Sequence, residues 1–247
     1  MLQNKKYLFV GGCPRSGTTR ISFIIGAHPE IILGIERYNN ILHKKQFSLT
    51  QEHFSNSRFM KVERNDTFYQ DFLNFKRHLH IPSKWDHAKY IGVKYPIIDE
   101  IIDELNHSIG QITVLYIYRD VFDVAESWNR RAEIGNNWPK TKRYKDAVIK
   151  WNESLSSIKD FILKGENIIC INFNDLLFSE KPIDEIFNKL GLEISDEVEM
   201  ELQYARSISN GKKEKKGKLS DTEYQYINSH AKHKLFDEFN MKYNILR

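Results

Sequence analysis

The residues best suited to chemistry lie in one short run, Gly12-Cys13-Pro14-Arg15-Ser16-Gly17-Thr18-Thr19, directly after the apolar stretch Leu8-Phe9-Val10-Gly11. Gly12 and Gly17 have the G-x-x-x-x-G spacing of a loop that wraps an oxyanion in backbone N–H groups at the start of a helix. Thr19 fills the final Ser/Thr position of such loops. Thr18 stands where a lysine normally reaches the β- and γ-phosphates of a nucleoside triphosphate. Arg15 is the one cation inside the loop, and Ser16, Thr18 and Thr19 add hydroxyl donors. The run suits a phosphate-like oxyanion but lacks the charge that a triphosphate calls for.

A second constellation lies at Tyr118-Arg119-Asp120-Val121-Phe122-Asp123-Val124-Ala125-Glu126-Ser127. Arg119 closes the apolar run Ile112–Tyr118, and the carboxyl end of such a strand is where α/β proteins bind ligands. Ser127 falls about two turns into the following helix. On the residues alone, Arg119 could equally pair with Asp120 or Asp123, and Ser127 could sit on a helix surface.

Together the two sites resemble the sulfotransferases that use 3′-phosphoadenosine 5′-phosphosulfate (PAPS). Pro14 to Thr19 matches their 5′-phosphosulfate loop, P-[KR]-S-G-T-T, and Arg119 with Ser127 is similar to their 3′-phosphate site. The resemblance implies that Arg15, Ser16, Gly17, Thr18, Thr19, Arg119 and Ser127 bind PAPS, with adenosine 3′,5′-bisphosphate (PAP) as product and no metal. Phe173-Asn174-Asp175-Leu176-Leu177, Pro182 and Leu190-Gly191-Leu192 are similar to the family's Y-E-D-L…P…F-L-G-L segment, departing from it at Asn174. Lys216-Gly217, within the basic stretch Lys212 to Lys218, stands where the family has a loop covering the cofactor.

Sulfuryl transfer to a hydroxyl needs a base near the loop. Glu36, in Gly34-Ile35-Glu36-Arg37-Tyr38, is the candidate, and it matches the Glu that serves as base in the carbohydrate and protein-tyrosine branches of the family. An ion pair with Arg37 or Arg20 is the competing reading of the same residue. Lys94, in Gly92-Val93-Lys94-Tyr95-Pro96, resembles the family lysine that stabilises the leaving phosphate oxygen; a strand-end lysine reaching solvent has the same appearance. Glu36, Lys94 and Arg15 are thus the expected catalytic set. Trp128, Trp138 and Trp151 are candidates to stack an adenine, with core packing the commoner role.

These residues need a scaffold, and strand and helix signals alternate as in a single α/β domain: a central parallel sheet flanked by helices, like that of P-loop NTPases. Strands are expected at Tyr7–Val10, Ile31–Ile35, Tyr90–Tyr95, Ile112–Tyr118 and Ile168–Phe173. Helices are expected from Thr18 to about Ala27, from Pro96 onward, from Val121 to about Ala132, at Tyr144–Lys164 and at Pro182–Leu190. Residues 40–90 break the pattern. They hold five of the nine histidines, and basic side chains outnumber acidic ones nine to five, so this stretch reads as an insertion forming the acceptor side. Residues 206–218, with Arg206 and five lysines against Glu214, read as a loop over a polyanionic ligand.

Composition bounds the remaining classes. The chain has 247 residues, 40% of them hydrophobic and 28% charged, with a formal net charge of +4. No run of eighteen apolar residues occurs. With only two cysteines and no signal-like leader, the expectation is a cytoplasmic protein. No basic helix interleaved with aromatics points to nucleic acid. The expected partner is a small-molecule or glycan hydroxyl acceptor. A P-loop kinase and a non-catalytic nucleotide-binding module are the alternatives.

Overall fold

A computed structural model describes residues 5–44, 49–67, 78–135, 138–179, 183–212 and 219–246. Among them, β1 (Lys6–Gly11), β2 (Ile31–Ile35), β3 (Tyr90–Lys94), β4 (Ile112–Tyr118) and β5 (Ile168–Asn172) form a parallel sheet in the order β2-β3-β1-β4-β5. Burial on both faces explains why β2 and β4 read as nearly continuous apolar runs and why β3 is apolar up to Lys94. Alternation within β1 and β4 then feeds two cores. Leu8, Val10, Leu115 and Ile117 pack on one face, while Phe9, Val114, Tyr116 and Tyr118 pack on the other.

The first core is closed by α1 (Thr18–Ala27), α8 (Phe173–Phe178), α9 (Asp184–Leu190) and α10 (Asp196–Lys212). The insertion α2 (Asn39–Lys44), α3 (Asn56–Met60) and α4 (Ile81–Lys84) helps to close the other, with α5 (Ile102–Ile109), α6 (Val121–Ile134) and α7 (Tyr144–Leu163). Finally α11 (Asp221–His230) and α12 (His233–Glu238) return the chain to β5, where the Ile245 N–H donates to the Cys170 carbonyl (2.9 Å) and covers the sheet edge.

Several boundaries differ from the sequence expectation, each for a local reason. Pro96 does not open a helix. Its carbonyl accepts the Gly12 N–H (2.7 Å), a short 3₁₀ turn Ile98–Glu100 follows, and α5 starts only at Ile102. Phe173 leaves the last strand for α8, because the Asn172 side chain caps that helix by accepting from the Asn174 N–H at 2.9 Å. The helix expected from Pro182 begins at Asp184, Pro182 itself lying outside the described residues, and it ends at Gly191 in a left-handed cap. Residues Arg206 to Lys212 are the end of α10 rather than a loop, and Arg206 donates to the Leu176 and Ser179 carbonyls at the end of α8.

Two contacts tie the insertion to the sheet. Arg37, fully buried, donates to Asp66 (2.8 Å) and to the carbonyls of Phe59, Arg58 and Lys61. Lys84 donates from α4 to the carbonyls of Gly26, Ala27 and His28 at 2.6, 3.1 and 3.0 Å, capping the end of α1. Burial pushes the Lys84 ammonium down to about 8.

Candidate functional site

Parallel strands place their carboxyl ends together, so β2, β3, β1, β4 and β5 present Glu36, Lys94, the loop, Arg119 and Phe173 along one edge of the sheet. The loop is shaped by its glycines. Gly12 (φ 152°) lies where a Cβ would fall 2.0 Å from the Ile117 carbonyl oxygen, and Gly17 (φ 97°) where a Cβ would fall 2.1 Å from the Phe173 ring. As the cap of α1, Gly17 offers no side-chain acceptor to the first amides, and no acidic residue stands in the first turn. That leaves the positive end of the helix open to an anion. The Ser16 hydroxyl is buried without a hydrogen-bond partner among the described residues, which is the condition of a donor awaiting a ligand oxygen.

Arg15 adopts a left-handed backbone (φ 78°), costly for a side chain with a Cβ. The turn aims its Nε at the Ser127 hydroxyl, 3.0 Å away, so the loop and the second motif, 112 residues apart in sequence, meet. Trp128 supports the same junction, donating from its indole to the Pro14 carbonyl at 3.0 Å. Burial lowers the pKa of Arg15, and the neighbouring charges of Arg131, Arg130 and Arg119 lower it further. Four guanidiniums therefore crowd one place, as suits a polyanion. Arg130 and Arg131 escaped the sequence reading; their signal was the i+3 and i+4 spacing from Ser127 on α6.

Arg119 pairs with Asp123 (3.0 Å) and lies over the Phe173 ring, 4.5 Å from its centroid, while Asp120 caps α6 through the Phe122 N–H (2.8 Å). Phe173, given no role from sequence, thus fills the space between Gly17 and Arg119. Replacing Gly17 by Ala is expected to destabilise the protein by about 2 kcal/mol or more. The methyl must displace the Phe173 ring, so anion binding should fall as well. A wild-type denaturation curve with unchanged binding would contradict this packing.

On the other side of the loop, Lys94 Nζ donates to Glu36 Oε1, and the Lys94 side chain is 3% exposed against 25% for Glu36. Burial lowers the Lys94 pKa, opposed by Glu36, while Arg15 lowers it further. Glu36 therefore pairs with neither Arg37 nor Arg20: Arg37 turns away to Asp66. Lys94 does not reach solvent. Glu36 is left-handed too (φ 53°), held by its own N–H donating to the Lys94 carbonyl (3.1 Å) and by Thr67 donating to its carbonyl (2.8 Å).

Trp151 is buried and donates to the Arg119 carbonyl (2.8 Å), and Trp128 packs edge-on against Trp138. Lys216 and Gly217 lie outside the described residues. Among the described residues, no group of three or more His, Cys, Asp or Glu could hold a metal, and no helix is long and apolar enough to cross a membrane.

A parallel sheet with a glycine loop at its central strand, flanked by a cationic site and a Glu–Lys pair, defines an α/β protein of the phosphate-loop type. The sequence profile of the sulfotransferase family matches residues 8–196, well over half the chain. The chain belongs to that family and is a sulfotransferase by sequence and fold. Among solved structures it is similar to the sulfotransferase domain from the curacin biosynthetic pathway, with 17% identity and a TM-score of 0.59 over 91% of this chain and 96% of that one. It is also similar to the sulfotransferase domain from the Synechococcus PCC 7002 olefin synthase, with 18% identity and a TM-score of 0.50 over 79% and 76%. At such identities the likeness concerns the fold. No curated protein sequence matches the chain.

Proposed function

We propose that the protein transfers a sulfuryl group from PAPS to a hydroxyl of a small molecule or glycan. The observation that carries this reading is the contact of Arg15 with Ser127, which joins a loop lacking the triphosphate lysine to a second cationic site fitted to a separate phosphate. The unpartnered Ser16 hydroxyl and the glycine cradle fit a 5′-phosphosulfate; Arg119 and Ser127 fit a 3′-phosphate. When bound, the donor supplies a sulfuryl group on a phosphate leaving group.

Glu36 takes the acceptor proton as the acceptor oxygen bonds to sulfur. Lys94, whose ammonium has three donors, keeps one on Glu36 and offers another to the phosphate oxygen released when its bond to sulfur breaks. Arg15 and the loop amides share that developing charge. Glu36 and Lys94 flank the loop on the side away from β4.

Thermal shift separates this reading from its rivals. PAP at a hundred times its dissociation constant is expected to stabilise the fold by about 2.7 kcal/mol, with ATP and adenosine 5′-monophosphate far less effective. Stabilisation by ATP and not by PAP would favour a kinase and end the proposal.

A further inference from the structure

We propose that Asn39 is a positioning residue for the base: its side-chain amide holds Glu36 Oε2 while Lys94 holds Oε1, which makes Oε2 the oxygen that receives the acceptor proton. The inference rests on the reading of Glu36 as base. Asn39 is the first residue of α2 and is 7% exposed. Its Nδ2 donates to Glu36 Oε2 at 3.3 Å, and its backbone N–H donates to the Glu36 carbonyl at 3.2 Å. The longer bond falls on Oε2 and the tight ion pair on Oε1, so Oε2 keeps the more available lone pair on a side chain that is a quarter exposed.

The other end of the same amide explains why this arrangement is not a packing device. Asn39 Oδ1 is buried and has no hydrogen-bond partner among the described residues, and it caps no helix amide. An orphaned buried carbonyl opposes folding, and leucine, of nearly the same shape, would avoid it. Among the described residues, Lys94 from β3 pairs with Glu36 and Tyr95 just after it feels its charge, while Arg15 from the loop acts on Lys94 and Arg37 points away to Asp66. Asn39 is the neutral donor in that set. Donation to the ionised carboxylate favours the ionised form, so its removal must shift the titration of Glu36 upward.

The test is Asn39→Leu, with Asn39→Ala as a second variant should leucine not fold. The Glu36 carboxyl is followed by ¹³C NMR against pH, its signal assigned by its absence in Glu36→Gln. Sulfate release from PAPS to water is measured alongside, together with PAP affinity and Tm. Expected are a Glu36 midpoint at higher pH than in the wild type, turnover lower by about tenfold with its acid limb moved the same way, unchanged PAP affinity, and a Tm that does not fall. A midpoint that stays in place, or a Tm that drops while the titration stays the same, would overturn the proposal in favour of a structural asparagine. Were Glu36→Gln itself to leave turnover intact, the base reading would fail separately, while the NMR titration would still report whether Asn39 governs Glu36.

Discussion

Glu36→Gln is expected to cut sulfuryl transfer from PAPS by about a hundredfold or more while leaving PAP affinity within experimental error. The amide keeps the shape of the carboxylate and can still accept from Lys94, but it cannot take up the acceptor proton. Glu36 pairs with Lys94 after β2 and β3, whereas Arg119 and Ser127 follow β4, so the loss should appear in turnover and not in nucleotide binding. The variant also strips Lys94 of its counterion inside a site where burial already disfavours the ammonium. Part of the loss therefore falls on leaving-group stabilisation, and Lys94→Ala should depress the same step. Unchanged turnover in Glu36→Gln, measured with labelled donor, would remove Glu36 as the base.

Arg37→Ala is expected to cost about 2–5 kcal/mol through a cavity and unpaired carbonyls, a large fraction of the stability of an ordinary domain. The guanidinium is 0% exposed, and its loss would strand the carbonyls of Phe59 and Arg58 beside a cavity, while the Lys61 carbonyl keeps Arg58 as donor. Asp66 would keep Arg58, at 2.7 Å to each oxygen, so it would not be left as a bare buried charge. Denaturation should show the global loss, and hydrogen exchange should place the greatest loosening in residues 49–67. The same cluster fixes a pH dependence. Burial alone would raise the Asp66 carboxyl, but hydrogen bonds from Arg58, the Glu63 N–H and Arg37 hold it below the usual range. Its stabilisation is complete above the ordinary aspartate value of about 4 and is lost as pH falls below it. In Arg37→Ala that acid-side loss should shrink, and an unaltered pH profile of stability would contradict the clamp.

The sequence disclosed what depends on neighbours along the chain. Ile31–Ile35 and Ile112–Tyr118 were legible to the residue, and Thr18–Ala27 closely, because glycine, proline or a charge ends each apolar run. The Arg119–Asp123 pair was legible as an i,i+4 option. The start of α5 was not, because the bare face of Gly11, where a Cβ would fall 2.2 Å from an Ile98 side-chain carbon, lets that segment pack where a helix was expected. Within the site, Arg15, Glu36, Lys94 and Ser127 were singled out, yet the Arg15–Ser127 and Lys94–Glu36 contacts were not. Lys94 meets Glu36 only because β2 and β3 pair in register at Ile35 and Lys94. Asn39, Thr67 and Phe173 gain their meaning from contacts that no local pattern announces.

The helix that begins at the loop ends in the grip of Lys84. Ten residues at 1.5 Å each make α1 a stiff rod about 15 Å long, with an anion cradle at one tip and a lysine from the insertion at the other. The insertion is therefore moored to the loop through the backbone of a single helix. A substitution at Lys84 would free three carbonyls at one tip of a rod whose other tip carries the loop.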